Sequence, residues 1–190
     1  KEKYKDNLIL MVGNVANPVT YLEYSKIGVD FVRVGIGTGN VCTTSSNGGI
    51  HYPMGSLLIK LKNEREKVKT SISTSTASPY KSVPKIIADG GFNTVRQCVT
   101  AIALGADFVM LGRYFSRFDE SPTNKVLING QYMKEYWGEG SARARNWQRY
   151  DLGGDAKLKF EEGVDSYVPY AGNLKDGVAL SLMKVKSTMC

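Results

Sequence analysis

The sequence predicts an α/β fold of parallel β/α units, on three observations. Four short apolar runs, Leu8–Val12, Phe31–Val34, Lys85–Ala88 and Phe108–Leu111, have the length and composition of buried strands. Helical patterns lie between them. The chain also repeats itself: Gly28-Val-Asp-Phe-Val-Arg-Val-Gly35 and Gly105-Ala-Asp-Phe-Val-Met-Leu-Gly112 share a helix stop, an acidic turn, a strand and a glycine at the strand's C-terminal end. Strands alternating with helices in a repeated unit give a parallel sheet. Four such units are half of an eight-stranded (β/α)8 TIM barrel, which needs about 250 residues. The 190 residues are therefore expected to supply its last four units, strands 5–8, with the first half elsewhere in the same protein.

The elements follow in order. Asn17-Pro18 supplies a cap and a proline at the first helical position, and Gly28 closes that helix. Past the second strand, Gly35-Ile-Gly-Thr-Gly-Asn-Val-Cys42-Thr-Thr44 reads as a loop at the barrel mouth. The segment from Lys60 to Lys69 mixes both charges and reads as a solvated helix face. Thr70–Pro79 is a polar, low-complexity stretch expected as a mobile loop. Thr94–Leu104 gathers Val95, Cys98, Val99, Ile102 and Ala103 on one helix face and stops at Gly105, which makes Cys98 a core residue. From Phe118 to about Val168 the chain is too long for a βα loop, and its glycines and arginines predict an active-site flap. The organisation is then barrel over 1–117, flap over 118–168 and a final helix region over 169–190.

Composition narrows the function classes. With 42% apolar residues the chain can bury a core, and no run approaches membrane-spanning length. Three cysteines and one histidine make neither a disulfide framework nor a zinc site, in keeping with a cytoplasmic setting. The net charge of +7 is dispersed, without the aromatic interleaving of a nucleic-acid surface. No membrane and no specific nucleic acid is expected as a partner.

The strand ends carry the chemistry. Cys42 lies in a glycine-rich turn outside any helix or strand pattern, where a thiol is available as a nucleophile. Its activation is assigned to Thr44, loop amides and the ligand, with the lone His51 as the less favoured partner. Ala88-Asp89-Gly90-Gly91 offers a carboxylate for a ribose diol followed by glycine amides. Leu111-Gly112-Arg113 offers an amide and a guanidinium for phosphate. Together they describe a nucleoside monophosphate site. Gly35-x-Gly-x-Gly is not the dinucleotide fingerprint, because its third glycine comes one residue early and no acid follows about twenty positions on.

These residues, with Val12-Gly-Asn-Val15, Tyr136-Trp-Gly-Glu-Gly-Ser141, Asn146-Trp-Gln-Arg-Tyr150 and Glu161-Glu-Gly-Val164, resemble the inosine monophosphate dehydrogenase family over nearly the whole chain. The cysteine loop and the Ala-Asp-Gly-Gly strand end are shared with guanosine monophosphate reductase. The pair Arg149-Tyr150 favours the dehydrogenase. The resemblance implies that the Cys42 thiolate adds to C2 of inosine monophosphate, that hydride passes to NAD, and that water splits the thioimidate to xanthosine monophosphate. Thr44 assists, and Arg149 with Tyr150 activates the water, as neutral guanidine or through a proton relay. Asp89 would hold the ribose; Asn40, Gly91, Gly112, Arg113 and Tyr136 the phosphate; Glu139, Gly140 and Glu162 the purine. Gly35 and Gly37 would face NAD, and carbonyls of Gly37, Gly39 and Cys42 would ligate potassium. A homotetramer is implied. Asn40 and Arg113 depart from the family's usual serines, and the segment 70–84 is longer than expected. Two other readings stand beside this one: a reductase converting guanosine monophosphate with NADPH, and a non-catalytic nucleotide- or RNA-binding half-barrel.

Overall fold

A computed structural model describes residues 4, 7–138, 141 and 165–189. Four strands, β1 (Met11–Val15), β2 (Phe31–Val34), β3 (Lys85–Asp89) and β4 (Phe108–Met110), form one parallel sheet in sequence order. Between them run α1 (Pro18–Ile27), α2 (Thr44–Gly48), α3 (Met54–Thr74) and α4 (Val95–Ala103). A short α5 (Arg113–Ser116) follows. Then β5 (Lys125–Ile128), β6 (Gln131–Trp137) and β7 (Asp165–Pro169) make an antiparallel sheet, and α6 (Leu174–Met189) comes last. No described helix is long and apolar enough to cross a membrane.

Local chemistry accounts for the helix ends. The Asn17 side chain accepts the Val19 N–H ahead of Pro18, and Gly28 ends α1 in the left-handed region at φ 82°. Thr94 and Gln97 form a reciprocal capping box on α4.

The core lies between the sheet and its helices. Val32 and Val34 of β2 and Ile86 and Ala88 of β3 are fully buried against Tyr21 of α1 and Leu57, Leu58 and Leu61 of α3. Burial follows from the period of two along each strand. The opposite face carries Phe31, Arg33, Ile87, Asp89 and the exposed Met11 and Phe108, so the expectation of strands buried throughout holds only on the helix side. Cys98 packs against this core, and burial pushes its thiol pKa up.

The sequence repeat has a physical counterpart. Asp30 donates its N–H to Leu10 O at 3.0 Å and accepts the Leu10 N–H on its carboxylate at 2.8 Å. Asp107 does the same with Ile86, at 2.9 and 2.8 Å. Each acidic turn thus clamps the start of its unit's strand to the strand before it.

Three expected boundaries move. β1 begins at Met11, three residues after the apolar run begins, because the Asp30 clamp sets where the ladder starts and Gly13-Asn14 stays within the strand across an irregular register. The polar stretch from Thr70 is helical as far as Thr74, with Thr70 and Thr74 bonding back to carbonyls one turn earlier. The excursion after Phe118 is partly a three-stranded sheet, hinged on an Asn129-Gly130 turn, and its third strand runs past residue 168.

Candidate functional site

Glycine-rich turns at the ends of β2 and β3 press against each other. Gly35 has φ 114°, and a Cβ there would stand 2.7 Å from Asp89 O. Gly91 has φ 84°, and its Cβ would meet Thr38 O at 2.8 Å. Only glycine combines those dihedrals with that approach. Thr38 Oγ1 completes the junction by donating to Asp89 O at 2.6 Å.

The loop so anchored carries Cys42. The thiol is half-buried and donates to Thr44 Oγ1 at 3.2 Å. Cys42 shares a cavity of about 300 Å³ with Asn14, Gly35, Thr38, Gly39 and Asp89. The expected nucleophile and the expected ribose carboxylate therefore face one space.

Asp89 is held on one oxygen only. Its Oδ2 accepts Asn14 Nδ2 at 2.6 Å and Arg33 Nη2 at 2.8 Å, while Oδ1 has no protein donor among the described residues. Asn14 Nδ2 also reaches Gly35 O at 2.9 Å. The sequence reading missed both partners. Asn14 fell outside the strand as predicted, and Arg33 looked like part of an apolar run; a charge inside that run, two residues before its glycine, was the available signal.

The Gly112 turn meets β6. A Cβ on Gly112 would stand 3.4 Å from Tyr136 Oη. Burial pushes the Tyr136 phenol above its ordinary pKa, Asp89 and Cys42 add to that shift, and Arg113 opposes it. Tyr136 Oη thus sits at the Gly112 rim. Arg113 also lines a recess of about 240 Å³ with Asn93, Tyr114 and Arg117. Asn40 instead pairs its carboxamide with that of Asn93. His51 is exposed beside a separate cavity of about 400 Å³. Glu139, Gly140, Arg149, Tyr150 and Glu162 lie outside the described residues.

The donors bear on two further groups. Gly39 O accepts the Cys42 N–H at 3.1 Å, so one of the three carbonyls expected to hold a cation already takes a bond within the loop. Oxygen-only ligands suit a hard cation. Gly35 and Gly37 line the Cys42 cavity, and a Cβ on either would meet protein, Asp89 O and Met54 from Gly35 and Ser45 from Gly37.

The chain matches known proteins along its whole length. The IMP dehydrogenase / GMP reductase domain matches over residues 1–190. Inosine-5'-monophosphate dehydrogenase of Tritrichomonas foetus is 52% identical over 192 residues, covering 100% of this chain and 36% of that protein. The Chlorobaculum tepidum protein of the same name is 34% identical over 196 residues, covering 100% and 37%. GMP reductase 1 of Mus musculus is 31% identical over 188 residues, covering 99% and 49%. The chain spans between a third and a half of the length of these curated relatives.

Proposed function

The chain belongs to the IMP dehydrogenase / GMP reductase domain family, and from that premise we propose that it is the catalytic half of an enzyme oxidising inosine monophosphate to xanthosine monophosphate. One observation carries the reading: the Cys42 thiol and the Asp89 carboxylate open into a single cavity, with Tyr136 at the neighbouring rim. The higher identity to a dehydrogenase than to a reductase favours oxidation, as does the Arg149-Tyr150 pair.

In this reading Asp89 Oδ1 receives the ribose hydroxyls while Arg33 and Asn14 hold the other oxygen. Gly91, Gly112, Arg113 and Tyr136 take the phosphate, with Asn40 a further contact. Glu139, Gly140 and Glu162 face the purine. Thr44 Oγ1 takes the Cys42 thiol proton while its own hydroxyl proton passes to solvent, and Cys42 Sγ forms a bond to C2 as the C2=N3 pair moves onto N3. NAD, held along Gly35 and Gly37, supplies the acceptor for the hydride that leaves C2. The resulting thioimidate is attacked by water at C2; the C–S bond breaks, its electron pair returns to sulfur, and Arg149 with Tyr150 takes the water's proton. Carbonyls of Gly37, Gly39 and Cys42 would hold potassium, which keeps the loop ordered. The parallel sheet closes into a barrel with a preceding half, residues 118–168 act as the flap, and the protein assembles as a cytoplasmic homotetramer.

The test uses full-length protein with inosine monophosphate and NAD. A mass increase on Cys42 and loss of NADH formation in Cys42→Ala are expected. Turnover retained in that variant defeats the covalent mechanism. Consumption of NADPH with guanosine monophosphate, releasing ammonia, identifies the reductase instead.

A further inference from the structure

We propose that Asn93 is a positioning residue for Cys42 and acts through Asn40; this rests on reading Cys42 as the nucleophile. The two carboxamides pair reciprocally. Asn40 Nδ2 donates to Asn93 Oδ1 at 2.8 Å, and Asn93 Nδ2 donates back to Asn40 Oδ1 at 3.0 Å. Two antiparallel bonds between planar amides set both separation and orientation, which a single bond between rotatable groups does not.

Each end of the pair is itself held. The Asn93 N–H donates to Gln97 Oε1 at 2.8 Å, and the same oxygen accepts the Thr94 N–H at 3.0 Å, so Asn93 is fastened to the first turn of α4. Asn40 and Val41 are the central residues of the tight turn that Cys42 N–H closes on Gly39 O. Val41 is buried at 6% exposure, whereas Asn40 faces solvent apart from its partner. Any tilt of Asn40 is therefore a tilt of the turn that aims the sulfur. Thr38 pins the loop's other limb to Asp89, so the cysteine loop rests on the β3–α4 connection at two points.

The pair is solvent-exposed and contributes little to global stability. Its loss is expected in the orientation of Cys42. The measurement is the alkylation rate of Cys42 by iodoacetamide in the full-length protein, resolved by peptide mass, with Cys98 as internal reference. Asn40→Ala and Asn93→Ala should each change the Cys42 rate by roughly three- to tenfold. The double variant should match either single, because both remove one clasp. The Cys98 rate should stay constant.

Independent effects that multiply in the double variant overturn the proposal. So does a Cys98 rate that moves in parallel, or an unchanged Cys42 rate in either single variant. No nucleotide is present, so the outcome is separate from that of the dehydrogenase assay: wild-type protein inactive on inosine monophosphate but showing the coupled rates refutes the reaction and leaves the clasp.

Discussion

At Asp89 a single carboxylate divides its work. Oδ2 is taken by Arg33 and Asn14, which fixes the rotamer, and Oδ1 is left toward the cavity. Replacing it by asparagine keeps the volume but removes the charge that both donors address. Asp89→Asn is expected to raise the KM for inosine monophosphate by roughly 10- to 100-fold, the scale of a charge-assisted hydrogen bond, with a smaller change in kcat. Steady-state kinetics checks this; a fall in kcat alone contradicts a ribose role. Asp89 and Gly112 were legible because each closes an apolar strand run beside a glycine, and Cys42 because it sits in a glycine-rich turn. Asn14, Arg33 and Asn93 were not. Their function is a bond to another residue's side chain 75, 56 and 53 positions away, and no local pattern records it.

Among the elements, the two acidic turns show why the units repeat. Asp107 accepts the Ile86 N–H and also holds Arg65 of α3 at 2.6 Å, so one side chain joins strand, neighbouring strand and helix. Arg65 is 12% exposed, and removing its partner strands a mostly desolvated charge. Asp107→Ala is expected to cost about 2–4 kcal/mol, from the unpaired guanidinium and the orphaned amide together. Urea unfolding measures it, and a loss below about 1 kcal/mol would mean that solvent replaces both contacts. The helix cap at Asn17 was readable from the Asn17-Pro18 pair, whereas the Thr94–Gln97 capping box went unread. The reach of α3 to Thr74 was not, because serine and threonine favour turns unless a buried residue such as Val68 holds the helix down.

For the whole molecule, the central core rests on Tyr21, which is fully buried and donates its hydroxyl to Pro84 O at 2.9 Å. Burial holds that phenol well above its ordinary pKa of 10.0. The unfolded chain releases the proton first, so the stabilisation is complete below pH 10 and declines as pH rises beyond it, by about 1.4 kcal/mol per pH unit. Tyr21→Phe should lower the neutral-pH midpoint slightly and flatten the alkaline limb; equal slopes in both proteins would acquit this residue. The parallel β/α order was legible from four runs and a repeat. The second sheet was hidden, since β5 and β6 alternate only weakly and β7 joins them from far along the chain.

The paired aspartates have one more consequence. A strand whose alignment depends on greasy side chains alone would slide when those side chains are exchanged. Here the alignment is written in polar bonds at the strand's entrance, remote from the rim where catalysis would occur. Valine, isoleucine and leucine can therefore trade places in the interior across generations, while the spacing between sulfur, carboxylate and phenol at the opposite end survives the exchange.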